Sequence, residues 1–457
     1  MKKTYIYNLL LLSILMVTAS SCKKPLDINP VDDVEQDQAL TTPKAVESAL
    51  IGAYADLGSR NFYGGRAALM SDFLADTTAI NWTGTYEELT QTINKSLLKT
   101  NLFVDNVWRD GFKTINDVNN VLAALDKLDE DRKGTVEGES KFIRGAAYFN
   151  LVRLFGKAYN DGSPAANLGV PIILTPTTVI TDANYVARAS VADVYAQAIK
   201  DLTEAEELLP DENGFFATKS SAAAMLARIY LQMGNYTAAA TAADKVISSG
   251  LYKLAATYSG AFPVKQKAGN PAQAGSNTDE DIFAIQVTKL AGFNGFNEFY
   301  GSSTYNGRGD ASIYEDWIDE NFTEDDTRRD YFYDDGGDLY TSKFANTYGN
   351  VPVIRLAEMY LIRAESNVRM GTVIGDTPLA DLTKVRTRAG LETATATLED
   401  ILKDRNLEFA FEGFALHDAK RTETNIGKIE WKADRLVFPI PQREMDANKK
   451  LLQNAGY

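Results

Sequence analysis

Apolar residues recur along much of this chain at steps of three and four, the spacing that puts side chains on one face of an α-helix. Trp108, Phe112, Ile115 and Asn119 follow that period and predict a helix with an inward stripe. Asp193, Val194, Ala198, Leu202 and Ala205 predict another that stops at Pro210, where a missing amide proton and a steric clash end helical geometry. Leu407, Phe411 and Phe414 continue the period in "ILKDRNLEFAFEGFALHDAKR", with Gly413 inside it at some cost to helicity. Three segments look alike: "GAAYFNLVRLFG" at 145–156, "LARIYLQMGNYTAAATAADKVI" at 226–247 and "LAEMYLIRAESNVRMG" at 356–371. The middle one places Leu226, Ala227, Tyr230, Gly234, Tyr236 and Ala239 at the offsets of a tetratricopeptide helix pair. In such a pair small alanines let two helices approach, and an aromatic ring fills the gap to the next pair. Gly234 and Asn235 supply the turn.

The pattern changes between about 255 and 350, which is rich in Gly, Asn and Tyr and holds one short strand candidate, "DIFAIQV" at 281–287. Irregular stretches of this length in a compact protein are usually functional. "GFNGFNEFYGSSTYNGRGD" at 292–310 gathers five aromatic rings with Asn, Arg and Asp, and "INWTGTYEE" at 80–88 is a smaller instance. Flat rings can stack on the apolar face of a pyranose, while amides and charges satisfy hydroxyls that are costly to bury unpaired. The candidate ligand-binding residues are therefore Trp82, Tyr86, Phe293, Asn294, Phe296, Asn297, Tyr300, Tyr305, Arg308 and Asp310. A glycan binder must leave Trp82, Phe296 and Tyr300 exposed; the competing reading, a pure protein-interaction scaffold, has no reason to.

Residues 1–21 do not read as part of the folded protein. Lys2 and Lys3 give a positive start, Leu9 to Val17 form an apolar run broken by Ser13, and Ala19, Ser20 and Ser21 are small: a secretory signal, too short to span a bilayer. Cys22 is the only cysteine, so no disulfide can form within the chain. Its place directly after the small residues fits a lipoprotein signal, in which the sulfur carries a lipid. Residues 22–40 then read as lipidated cysteine and Pro/Asp-rich tether, and 41–457 as a single domain. Its helices fall at about 100–254 and 350–420, with the loop-rich ligand region between them. The chain has 47 basic residues; removal of Lys2 and Lys3 leaves 45 against 62 acidic ones, a formal charge of −17. That surface repels nucleic acid and strongly sulfated glycans but not a neutral ligand.

Catalytic signals are sparse. His417 is the only histidine, so neither a histidine-based zinc cluster nor a triad with a spare base can be built. Glycoside hydrolysis needs just two carboxylates, but no acidic residue stands in a motif that argues for it. No enzyme and no cofactor is expected. The one metal the residues admit is a structural calcium at Asp334, Asp335 and Asp338 in "FYDDGGDLYTSKF", a stretch that does not match an EF-hand and reads equally as a hairpin turn.

Six fragments in order give the chain a family likeness: "NVWRDGFKTINDVNNVL" at 106–122, "ESKFIRGAAYFNLVRLFG" at 139–156, "SSAAAMLARIYLQMGNY" at 220–236, "VIRLAEMYLIRAE" at 353–365, "ILKDRNLEFAFEG" at 401–413 and "FPIPQREMDANKKLLQNAGY" at 438–457. They resemble the SusD/RagB-type outer-membrane lipoproteins, nutrient-binding partners of SusC-like TonB-dependent transporters. The resemblance implies an all-α-dominated fold, an α-α superhelix of four tetratricopeptide-like pairs with a loop-rich, partly β insertion. It also implies a lipid-anchored position on the outer membrane, facing the cell exterior. There the protein would close as a lid over the transporter barrel and capture an oligosaccharide or, in some members, a peptide. Arg363 and Glu365, and Arg405, Glu408 and Glu412, are expected to pair and lock helices together. Two departures are visible. Ala415 and His417 stand where an aromatic residue is commoner in the family, which implies local repacking. Lys-Lys-Pro-Leu follows Cys22 where acidic residues are usual in surface-exported relatives.

Overall fold

A computed structural model describes residues 40–457 apart from 77, 264, 266, 270–274 and 289–291. The expected signal segment, Cys22 and nearly all of the tether lie outside the described residues.

The chain enters through helices α1 (Pro43–Leu57) and α2 (Arg66–Ala75), the short strand β1 (Ile80–Trp82) and helix α3 (Glu87–Ile93). Five long helices follow: α4 (Leu102–Ala123), α5 (Glu130–Phe155), α6 (Val191–Leu208), α7 (Lys219–Gln232) and α8 (Tyr236–Ser248). Four of the five start at a residue whose side chain caps them. Asn101 accepts from the amides of Phe103 and Val104, Ser190 from Asp193, Thr218 from Ser221 and Asn235 from Ala238. Gly234 takes φ 72° between α7 and α8, a left-handed turn that costs glycine nothing. From Phe142 to Phe155, α5 is buried almost all round, so it is the central helix, with α1, α4 and α6 packed on it. Successive helices then stack neighbour on neighbour, which is the tetratricopeptide-like superhelix.

The region read as loop-rich contains β2 (Asp281–Ile285), α9 (Gly295–Tyr300), β3 (Ala311–Ile313), α10 (Glu315–Asn321), β4 (Phe332–Asp335) and β5 (Asp338–Thr341). After β6 (Val351–Arg355) come α11 (Leu356–Met370), α12 (Pro378–Arg388), α13 (Leu398–Glu408), α14 (Ala415–Arg421) and α15 (Gln442–Ala447). Strand β2 pairs with β6, and the other four form a sheet in the order β1-β3-β5-β4. Between β4 and β5, Gly336 and Gly337 have φ of 76° and 95°, as a two-residue type I′ hairpin requires.

One helix expectation is corrected. The stripe Leu407, Phe411, Phe414 is not one helix: α13 ends at Glu408, Phe411 has φ 67° and Gly413 φ 82°, and α14 starts anew at Ala415. The amide of Gly413 instead donates to both carboxylate oxygens of buried Asp72, 3.0 Å from each, and a Cβ at Gly413 would lie 2.4 Å from that of Ala68. Burial, the dominant cause, raises the Asp72 carboxyl to about 8 despite that amide and the Tyr300 hydroxyl.

The motif residues expected to lock helices, Arg363, Glu365, Arg405, Glu408 and Glu412, lie inside, paired with residues from other segments. Arg355 binds Glu280, Glu408 and Glu412 at 2.8 Å each, Arg388 bridges Glu280 and Glu408, and Lys343 holds Glu412 at 2.8 Å. Glu365 accepts two bonds from Arg421, Arg363 donates two to Asp381, and Arg405 binds Asp418. These pairs tie α11, α12, α13 and α14 to β6. Burial costs each ion its hydration, so each is retained only with its partner present.

Candidate functional site

The two aromatic stretches singled out in the sequence meet. Strand β1 pairs antiparallel with β3 in the register Ile80↔Ile313, Asn81↔Ser312, Trp82↔Ala311, and the amide of Thr83 extends the ladder to the Asp310 carbonyl at 2.9 Å. Because side chains alternate along a strand, one face carries Ile80, Trp82, Ala311 and Ile313 toward the core and the other carries Asn81 and Ser312. On that second face a polar row crosses three strands. Tyr314 donates to Asn81 Oδ1 (3.3 Å), Asn81 Nδ2 to Ser312 Oγ (3.1 Å), and Ser312 Oγ to Asp338 Oδ1 (3.3 Å). Tyr314 is 48% exposed and Asp338 is also exposed, so the row opens to solvent at both ends.

Beside it, Arg308 pairs with Asp310 at 2.5 Å and lies over the Tyr86 ring, 4.9 Å from its centroid. The hydrogen bond that Arg308 donates to Asp310 is the main reason the guanidinium is held above its ordinary value. Tyr333 and Tyr340 face each other across β4 and β5, and Tyr305 packs edge-on against Tyr333 with centroids 4.9 Å apart. Burial raises both Tyr333 and Tyr340, so their phenols stay protonated at neutral pH. Hydroxyl, amide, carboxylate and guanidinium thus line one patch between aromatic rings. That set can exchange hydrogen bonds with a polyol.

The ten predicted residues divide. Arg308, Asp310, Tyr86 and Tyr305 border this patch. Phe293 is half-buried under the Arg60 guanidinium, 4.6 Å from its centroid, and lies apart from the polar row. Trp82 is half-buried but closed: its indole donates to Thr90 at 2.9 Å, its ring packs on Phe73 and Phe299, and Gly84 sits so close that a Cβ there would come within 2.3 Å of it. For Phe296 and Tyr300 the expected exposure is not found. Phe296 is 3% exposed and stacks on Phe344 at 4.3 Å, while Tyr300 is fully buried with its hydroxyl on Asp72. Asn294 caps α9 through the amides of Phe296 and Asn297, and Asn297 donates to the carbonyls of Tyr305 and Phe344. All four build the loop rather than face a ligand. Their spacing carried the signal: Phe296, Phe299 and Tyr300 are helical neighbours behind an Asn cap.

Asn81, Ser312 and Tyr314 were not singled out, and Asp338 was considered only as a calcium ligand. The clue was the alternation Asp310-Ala311-Ser312-Ile313-Tyr314, a period of two inside a stretch dominated by turn residues. The acidic turn is a hairpin, in which Asp335 accepts from the Thr304 amide at 3.4 Å and Asp338 from Ser312. Among the described residues no group of three or more His, Cys, Asp or Glu is placed to hold a metal ion.

Residues 26–231 match the family model described as SusD-like, starch-binding and associating with the outer membrane, and residues 292–435 match that of the SusD family. A SusD-like protein P2 of Formosa agariphila is 24% identical over 97% of this chain and 98% of its own length. Among solved structures, a SusD superfamily protein from Bacteroides thetaiotaomicron superposes with a TM-score of 0.79 at 25% identity, covering 90% of this chain and 99% of its own. A laminarin-binding SusD-like protein superposes with a TM-score of 0.72 at 22% identity, covering 91% and 100%.

Proposed function

Since the chain belongs to the SusD/RagB family of outer-membrane-associated carbohydrate-binding proteins, we propose that it captures an oligosaccharide at the cell surface and delivers it to a TonB-dependent transporter. Lipid on Cys22 would hold it to the outer membrane, and the Pro/Asp-rich tether would give the domain reach over the transporter barrel. The observation that carries the ligand reading is the polar row Tyr314-Asn81-Ser312-Asp338 beside the Arg308-Asp310 pair. A sugar's hydroxyls need both donors and acceptors, and this patch offers both at a solvent-facing sheet surface flanked by Tyr86 and Tyr305. Binding rather than turnover is expected. The only histidine is buried, and the carboxylates at the patch are engaged by Arg308, Ser312 and Thr304. Laminarin binding by a protein of the same fold makes a neutral glucan a sensible first ligand to try.

The test is a glycan array with protein starting at residue 23, beside Tyr314→Ala and Arg308→Ala. Both side chains are exposed, so the fold should survive their loss. Binding to one glycan class that both variants lose supports the reading. A blank array, with capture of peptides instead, replaces it by a peptide importer.

A further inference from the structure

A second site borders Phe296. A cavity of about 50 Å³ is bordered by Ser71, Asn150, Arg153, Arg228, Glu412 and His417, with Phe62, Phe296 and Phe414 closing its apolar sides. Its charges do not balance. Glu412 is neutralised by Arg355 and Lys343, and Arg228 by Glu358, which accepts its Nε and Nη2 at 2.8 and 2.5 Å. Arg153 has no carboxylate within ion-pairing distance among the described residues. Its Nη2 donates to Asn150 Oδ1 at 2.7 Å, its guanidinium lies 4.6 Å from the Phe149 ring centroid, and its Nε is buried without a partner.

The unspent groups nearby are also donors. Asn150 and His417 are 5% and 4% exposed. Neither the Asn150 amide nitrogen nor either ring nitrogen of His417 makes a hydrogen bond to another protein group in the described residues. Burial, and after it the cations Arg153, Lys420 and Arg228, hold His417 well below the usual imidazole range, so the ring is neutral and offers one N–H. A half-buried guanidinium without a carboxylate partner, its Nε enclosed, and a cluster of unmatched donors call for an acceptor with negative charge.

We propose that this cavity binds a small inorganic anion of halide size, held by Arg153, Asn150 and His417. The volume admits such an ion with a water or two and is far too small for a sugar. The ion completes a junction of α2, α5, α7, β6 and α14, and this role is independent of what the sheet surface binds.

Crystals of the protein grown in sodium bromide, measured above the bromine absorption edge, should show an anomalous peak within hydrogen-bond reach of Arg153 and His417. In solution the unfolding midpoint should rise by about 1.5 °C per tenfold increase in bromide, relative to gluconate at matched ionic strength. Arg153→Met should lose that dependence while the glycan-binding surface is untouched. A cavity filled by water alone in bromide crystals, or midpoints that coincide in bromide and gluconate, overturns the proposal. Both readings use the unaltered protein, so they stand even where Arg153→Met fails to fold.

Discussion

Arg355→Met tests whether the buried ion cluster sets the stability of the C-terminal half. Arg355 is at most 1% exposed, as are Glu280 and Glu408, and Glu412 is only 7% exposed. Three carboxylates there are matched by Arg355, Arg388 and Lys343. Methionine keeps most of the volume but leaves three anions facing two cations. Breaking a buried pair in this way costs about 3–5 kcal/mol. With about 400 ordered residues and an unfolding entropy near 2.1 cal/mol/K per residue, the midpoint should fall by about 4–6 °C. The pH dependence gives a second readout. Burial alone would raise Glu408, but Arg388 and then Arg355 outweigh it and hold the carboxyl below its ordinary 4.5. A depressed carboxylate contributes stability above its unfolded pKa and loses it as pH falls through the folded one. Without Arg355 that shift reverses for at least one of the three groups, and protonation then relieves the strain. The deficit of Arg355→Met should therefore be largest near neutrality and shrink toward pH 4.5. Calorimetry of both proteins from pH 4.5 to 7.5 measures this. A midpoint within 1 °C of wild type, or a deficit that does not change with pH, refutes the reasoning. Adding Glu412→Gln to Arg355→Met should recover part of the loss.

Asp72→Asn should gain on wild type as pH rises. A carboxyl raised to about 8 makes the folded state bind more protons than the unfolded one between about 4 and 8, so wild-type stability falls across that window by up to about 1.4 kcal/mol per pH unit, and the Asn variant escapes this. Urea titrations at pH 5 and pH 8 compare the two. Phe296→Ala should lower stability by about 3–5 kcal/mol, whereas Tyr314→Ala should leave the midpoint within about 1 °C and weaken glycan binding about tenfold; denaturation and calorimetric titration on both would show the opposite pattern if Phe296 were a stacking platform. Gly84→Ala should weaken binding too, because a Cβ there displaces the loop from the Trp82 ring; crystallography of the variant would show whether residues 83–86 shift. Cys22→Ser should release the protein from the membrane fraction, with loss of metabolic labelling by a fatty-acid analogue.

The helical scaffold was legible because it obeys local rules. Asn101, Ser190 and Thr218 cap helices whose apolar residues recur at three and four, and Gly234 and Asn235 turn one into the next. Reading failed where a distant group outbid the local pattern. The period through Leu407, Phe411 and Phe414 is helical, yet the hydrogen bond from Gly413 to Asp72, hundreds of positions away, imposes a left-handed turn. The site was half legible for the same reason. Composition located both stretches that meet at β1 and β3, but composition does not distinguish a ring that faces solvent from one that pins a loop. Tyr300 is buried because α2 lies beneath it, and nothing near Tyr300 in the sequence announces α2. The Arg355 cluster was visible as motif residues, while its pairings, set by chain crossings, were not.

The pairing of β1 with β3 also bears on how the protein comes into being. Asn81 and Ser312 are 231 positions apart, so the strand that begins the ligand surface must wait for most of the chain before it finds its neighbour. Closing a loop of that length is entropically costly and slow, whereas the intervening helices can form from nearby contacts as they appear. A chain that stops short of residue 311 could therefore acquire much of the helical stack and still be unable to recognise anything, and far-ultraviolet circular dichroism would pass it as folded.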